Sequence, residues 1–174
     1  MQRPITDAFG TTTQQQSDVT SYLAGLRYLT ERDTTYIAEV CRNGAGYTPT
    51  QAGAFYSLVD RAAEQFSATG NAALLGRAQS LAQGGYGRPN AGRNYLYLRV
   101  SQKEPFDFLY FTPAITVIAN LDDRSASLVP EALYTGFTNV ELRLRVFALA
   151  GGARTEFGEK QNSNRIELLA RLYF

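Results

Sequence analysis

The chain has 174 residues, and 17 lysines and arginines nearly balance 16 aspartates and glutamates, giving a formal charge of +1. This charge creates no strong field that would attract nucleic acid, and the length suits one domain. There is no histidine and only one cysteine, which excludes histidine acid–base catalysis, histidine metal sites and an internal disulfide. We therefore expect no cofactor and no metal, and predict that the chain is not an enzyme.

The first segment, residues 1–16, is polar and is predicted to be a flexible amino-terminal segment without a strand. It also lacks the apolar core of a signal peptide. Alternation of apolar and polar residues then predicts strands over residues 21–30 and 35–42. Arg27 and Glu39 lie on the polar sides of these two strands.

Residues 44–92 are predicted to be a long, partly helical outer loop. Thr48 as N-cap, Pro49 at the first position and Gln51 as capping-box partner predict the start of one helix. A second helix is predicted over residues 71–83, ended by the glycine pair at 84–85. A helical hairpin that covers the rim of a barrel is favoured over a functional gate.

Five further segments alternate with a period of two and are predicted as strands. They cover residues 94–102, 108–121, 125–135, 139–149 and 165–174. Pro113 and Pro130 fall inside two of them and are expected at bulges or at a seam, because proline cannot donate to the ladder. Asp122 and Asp123 are interpreted as a hairpin turn in preference to a cation site.

The seven strands together predict a mainly β fold. The specific prediction is an antiparallel up-and-down transmembrane β-barrel, or partial barrel, of about seven strands with a helical hairpin in one long loop. Charged residues are assigned to the lumen because an arginine or lysine that faces lipid near the midplane costs about 2–4 kcal/mol. The predicted lumen-lining residues are Arg27, Glu39, Arg99, Glu131, Glu141, Arg143, Arg145, Glu167 and Arg171.

The predicted connections alternate between short turns and longer loops, which assigns the short turns to the periplasmic rim. An odd strand count leaves one end of the chain at the wrong rim, since complete bacterial barrels have an even number. Residues 1–174 are therefore predicted to be a single barrel segment, a fragment of a larger barrel. Its open edges and apolar outer face also predict self-association.

The last ten residues alternate and end on an aromatic residue. Together with the strand row from about residue 94 and the asymmetry of turns and loops, they resemble the carboxy-terminal part of Gram-negative outer-membrane β-barrel proteins, in the broad porin-like sense. In that class the assembly machinery recognises the terminal aromatic and the alternate apolar residues before it. The resemblance thus implies a barrel-assembly signal at Leu168, Ala170, Leu172 and Phe174.

The same resemblance implies a location in the bacterial outer membrane, with outer-membrane lipid and the barrel-assembly machinery as partners. The predicted function is a porin-like passive channel or a structural barrel wall with a charged lumen. Two alternatives stay open: a soluble or secreted antiparallel barrel that binds an apolar ligand, and a non-catalytic part of an outer-membrane barrel enzyme. In the soluble alternative the apolar faces point inward.

Overall fold

The computed structural model describes residues 2–16, 18–160 and 164–174. The chain divides into two compact units, and the prediction of a single barrel segment over residues 1–174 stays a prediction. We call them the helical unit, Met1–Tyr22 with Arg42–Asn94, and the sheet unit, Leu23–Cys41 with Tyr95–Phe174.

The helical unit begins with a hairpin of two short strands, β1 (Gln2–Thr6) and β2 (Thr12–Gln16). The sequence predicted no strand in residues 1–16, whereas residues 2–16 contain this two-stranded hairpin. Residue 1 lies outside the described residues. Arg77 donates a hydrogen bond of 2.9 Å to the carbonyl of Gly10, and the Tyr47 hydroxyl donates one of 3.1 Å to the carbonyl of Pro4. These long-range contacts to the hairpin leave no periodic signal in the sequence.

The turn of this hairpin is built around Asp7. One oxygen of its carboxylate accepts hydrogen bonds from the backbone N–H groups of Thr11 at 2.8 Å and Phe9 at 2.9 Å. Hydrogen bonds from the Thr11 and Phe9 backbones hold the pKa of Asp7 below its ordinary value, because they favour the charged carboxylate. The polar segment thus has a local turn motif of its own.

The first helix, α1 (Pro49–Thr69), starts as the sequence predicts. Thr48 is its N-cap, and the side chains of Thr48 and Gln51 each accept a hydrogen bond from the other residue's backbone N–H, which completes the capping box. The helix ends at Gly70, whose φ of 69° is the left-handed conformation that favours glycine.

The second helix, α2 (Ala73–Leu81), continues into a π-helical turn, Ala82–Tyr86. The prediction that glycines 84 and 85 stop the helix is wrong, because the helical path runs through them. It ends at Tyr86, whose ring stacks on Tyr47 at 3.8 Å and on Phe55 at 4.3 Å between centroids. A Cβ at Gly85 would collide with the Tyr47 hydroxyl, so glycine permits this stacking.

The helical unit has an ordinary apolar core. Its buried members come from the loop before α1, from both helices and from the π turn. They are Tyr47, Phe55, Leu58, Ala62, Ala78, Leu81 and Tyr86. No helix in the described part of the chain is both long enough and apolar enough to cross a membrane.

The sheet unit contains seven strands paired in sequence order, antiparallel throughout. They are β3 (Tyr22–Leu29), β4 (Thr34–Arg42), β5 (Asn94–Gln102), β6 (Phe111–Asn120), β7 (Ser125–Phe137), β8 (Val140–Ala150) and β9 (Asn164–Leu172). The mainly β, antiparallel part of the predicted fold and its two helices are confirmed. The described sheet is open, with β3 and β9 at its edges, so closure into a barrel stays a prediction.

The two strand prolines do not break their strands. Pro113 lies opposite Ala132 and Pro130 lies opposite Ile115, within one continuous register between β6 and β7. Each proline lacks an N–H and gives up one ladder bond, and the neighbouring pairs keep the strands together.

Candidate functional site

The sheet unit has two faces of opposite character, fixed by the register of β5 to β9. The charged face carries the arginines and glutamates, together with tyrosine, serine, threonine and asparagine side chains. Its members include Tyr95, Tyr97, Arg99, Thr116, Asn120, Ser125, Ser127, Glu131, Glu141, Arg143, Arg145, Arg165, Glu167 and Arg171. The apolar face includes Leu98, Ile115, Val117, Leu128, Leu144, Ile166, Leu168 and Leu172.

Burial on these faces is inverted relative to a water-soluble sheet. On the apolar face Leu144 is 42% exposed and Leu168 is 75% exposed. On the charged face the side chain of Glu131 is only 9% exposed. All the buried strand residues of the described sheet unit lie on the charged face: Tyr95, Ala114, Thr116, Asn120, Ser125 and Ser127. The charged face is therefore the sheltered side of the sheet.

Glu131, on β7, is the centre of an ion-pair cluster that joins β5, β7 and β8. Its carboxylate oxygens lie 3.0 Å from Nη2 of Arg99, 2.6 Å from Nε of Arg145 and 3.8 Å from Nη1 of Arg143. Arg99 also donates a 2.8 Å hydrogen bond to the Thr116 hydroxyl on β6. One sheltered carboxylate thus faces three guanidinium groups.

The cluster extends across β8 and β9 through two further glutamates. Glu167 pairs with Arg145 at 3.3 Å and Arg165 at 3.4 Å. Glu141 pairs with Arg143 at 3.1 Å and Arg171 at 3.7 Å. The connected network therefore holds five arginines against three glutamates, an excess of two positive charges.

Seven of the nine predicted lumen-lining residues belong to this network, and Arg165 joins them although the sequence analysis did not select it. Arg27 on β3 and Glu39 on β4 take part in none of the ion pairs found within the described residues. Both lie on strands at or next to the open edge of the sheet. Strand β3 has a neighbour on one side only, which leaves Arg27 fewer cross-strand partners.

A shallow pocket of about 240 Å³ opens on the charged face beside Glu131. Arg99 and Arg145 contribute guanidinium groups, and Thr116 contributes a hydroxyl. The aromatic residues Tyr97 and Phe147 also line it. The pocket thus combines positive charge, hydrogen-bond donors and two rings.

The loop between β8 and β9 folds onto the charged face at the end where β5 begins. Its residues Glu156 and Phe157 are buried. One carboxylate oxygen of Glu156 accepts hydrogen bonds from the Tyr95 hydroxyl at 2.5 Å and from Nδ2 of Asn120 at 2.9 Å. We call residues 151–160 the latch loop, because these bonds fasten it to the sheet.

Asp123 fastens the same loop from the turn between β6 and β7. Its carboxylate accepts hydrogen bonds from the backbone N–H of Glu156 at 2.6 Å and from the Ser125 hydroxyl at 2.6 Å. The sequence analysis found the turn but missed both the latch and Glu156. No group of three or more histidine, cysteine, aspartate or glutamate residues able to hold a metal ion occurs within 2–16, 18–160 and 164–174.

The predicted assembly-signal residues lie at the exposed end of the chain. Leu168 and Leu172 are 75% and 67% exposed on the apolar face, and Ala170 lies between them on the same face. Strand β9 ends at Leu172, so Phe174 follows the strand and does not belong to it. Their recognition by an assembly machinery stays a prediction.

Comparisons with protein-family models, with curated proteins and with solved structures found no match to this chain. The resemblance to outer-membrane barrels therefore rests on the residues alone. Function is inferred from the geometry of the sheet unit and from the inverted burial of its two faces.

Proposed function

We propose that the sheet unit is part of the wall of a transmembrane β-barrel in a bacterial outer membrane, with a porin-like passive passage on its charged side. The apolar face contacts lipid and the charged face lines water. The observation that carries this proposal is the exposure of the aliphatic face beside a sheltered network of charges. In water such a face is a liability, whereas in lipid it is the required surface.

Strand length supports a membrane-spanning role. Strands β5, β6, β7 and β8 have 9, 10, 13 and 11 residues. A tilted transmembrane strand needs about 9–11 residues to cross the hydrocarbon core. Each of these strands is therefore long enough to cross a bilayer.

Aromatic residues at the turn end of the sheet also support the proposal. Phe106, Phe108 and Tyr110 lie in the β5–β6 turn and are 101%, 56% and 53% exposed. Phe137, beside the β7–β8 turn, is 57% exposed. Outer-membrane barrels carry such aromatic girdles where the strands meet the headgroups.

The charge network is consistent with a lumen. A lone arginine in lipid is expensive, but arginines and glutamates that face water and one another satisfy their hydrogen bonds. A soluble barrel that binds an apolar ligand would instead enclose Leu128 and Leu144, which are 38% and 42% exposed. The exposure of the apolar face thus favours lipid as its partner.

Fluorescence quenching tests which face meets lipid. Leu128→Cys and Val129→Cys, each in a Cys41→Ser background, attach a fluorophore to neighbouring positions on opposite faces of β7. After refolding into vesicles, we expect brominated lipid to quench the fluorophore at 128 several-fold more strongly than the one at 129. A water-soluble quencher should show the reverse order, because position 129 lines the charged-face pocket.

Refolding provides the second readout. Strand circular dichroism and heat-modifiable gel mobility that require detergent micelles or vesicles would support the membrane barrel. A cooperatively folded monomer in plain buffer, with the fluorophore at 128 shielded from both quenchers, would overturn the proposal in favour of a soluble ligand-binding barrel.

A further inference from the structure

The pocket beside Glu131 has the chemistry of an oxyanion site. We propose that it binds the carboxylate or phosphate group of a small solute of about the size of a monosaccharide. The inference rests on the proposed function, because the solute reaches the pocket through the water that lines the charged face. It adds the class of solute, which the barrel architecture by itself does not define.

The first support is the local charge. Three guanidinium groups, those of Arg99, Arg143 and Arg145, lie within 3.8 Å of the single carboxylate of Glu131. Even with Glu141 and Glu167 included, the whole network keeps an excess of two positive charges. An anion that enters the pocket neutralises part of this excess, and repulsion excludes cations.

The second support is the supply of hydrogen-bond donors. A guanidinium group carries five N–H donors in a fork that matches the two oxygens of a carboxylate or phosphate. Hydrogen bonds within the described residues use two donor nitrogens of Arg99 and two of Arg145. The cluster therefore has more donors than its own acceptors satisfy.

The third support is the shape of the pocket. A volume of about 240 Å³ suits a small solute. Tyr97 and Phe147 supply apolar ring surface beside the arginines. Rings next to charged forks provide contact for the flat apolar side of a sugar while its anionic group meets the guanidinium groups.

The arginines are also held in position for this task. Glu131 fixes Arg99 and Arg145 from opposite sides, on β5 and β8, and Thr116 fixes the other end of the Arg99 fork. Their side chains remain 29% and 31% exposed. A ligand thus meets guanidinium groups that are already ordered, which reduces the entropy lost on binding.

Isothermal titration calorimetry on the full chain refolded in detergent micelles tests the site. The probes are glucuronate, which is an anionic monosaccharide, inorganic phosphate and neutral glucose. We expect glucuronate to bind and glucose to give no heat of binding. Arg145→Gln should weaken glucuronate binding at least tenfold. Arg99→Lys keeps the charge and removes the fork, so it should weaken binding several-fold without loss of the fold.

Arg32→Gln, in the turn between β3 and β4, is the matched control and should bind like the parent chain. If phosphate binds as tightly as glucuronate and Tyr97→Ala changes neither, the site recognises a bare oxyanion. If glucuronate binds more tightly and Tyr97→Ala reduces only its affinity, the site recognises an anionic sugar. Both results support the oxyanion proposal.

Two results would overturn it: equal binding of glucose and glucuronate, or no binding of either anion by chain that refolds fully. The quenching pattern at positions 128 and 129 is measured on the same preparation. It separates failure of the oxyanion site from failure of the membrane barrel, since lipid contact does not depend on anion binding.

Discussion

At the scale of single residues, Glu131 makes three ion pairs with arginines of the described sheet. It links Arg99 on β5 with Arg143 and Arg145 on β8, and its own side chain is nearly buried. Removing one partner from a sheltered ion cluster leaves the other charges facing one another. Glu131 is therefore a structural centre as well as a wall of the proposed anion pocket.

We expect Glu131→Gln to lower the free energy of unfolding by roughly 1.5–3 kcal/mol, the range for hydrogen bonds to charged groups. The three arginines would lose their shared countercharge while their packing stays the same. The measurement is the concentration of guanidinium chloride at the midpoint of unfolding, followed by the circular dichroism signal of the strands in detergent micelles.

Glu39→Gln is the control for this prediction, because Glu39 belongs to the same sheet but to none of its described ion pairs. Its unfolding midpoint should differ little from that of the parent chain. Equal losses in the two variants would show that the Glu131 cluster contributes no more to stability than a glutamate outside the ion pairs.

At the scale of elements, the sequence was sufficient wherever a periodic pattern or a local motif specifies the structure. The seven strands of the sheet unit alternate strictly enough that each was found with its bounds within three residues. The start of α1 followed from Thr48, Pro49 and Gln51, which interact within one helical turn.

Elements that depend on distant contacts were missed. The β1–β2 hairpin has no repeated apolar alternation and is fastened by Tyr47 and Arg77, more than forty residues away in the chain. Glu156 lies in an irregular loop, and its partners Tyr95 and Asn120 are 61 and 36 residues away. Neither case has a sequence period, so only the folded chain reveals the contacts.

The latch loop gives an element-scale prediction. Glu156→Ala removes the acceptor that holds Tyr95 and Asn120, and it leaves their buried polar groups with one partner fewer. We expect the loop to open more often and trypsin to cleave after Arg154 at least tenfold faster, as measured by mass spectrometry of the refolded chain.

Gly152→Ala is the matched variant in the same loop, because a Cβ at that position meets open space. Its cleavage rate should stay near that of the parent chain. A Glu156→Ala chain that is cut no faster than Gly152→Ala would mean that the latch hydrogen bonds do not hold the loop.

At the scale of the whole molecule, the two units follow opposite rules of burial. The helical unit encloses Phe55, Leu58 and Leu81, as a water-soluble domain does. The sheet unit exposes Ile166 and Leu168 at 73% and 75% and shelters its charges. The hydrophobic effect stabilises the first unit in water, whereas under the proposed function lipid stabilises the exposed apolar face of the second.

The amide hydrogen-exchange rates of the two units should therefore respond differently when plain buffer is replaced by detergent micelles. In plain buffer we expect backbone amides of α1 and α2 to be protected and amides of β6 to β8 to exchange at least tenfold faster than in detergent micelles. Detergent should leave the exchange of α1 nearly unchanged, because its core residues are already buried. Mass spectrometry of peptic peptides from the full chain reports both units in one sample, so each unit is the internal control for the other.

Equal protection of the sheet in buffer and in detergent would contradict the inverted burial on which the membrane proposal depends. Loss of helix protection in buffer would instead show that the helical unit cannot hold its core without a folded sheet.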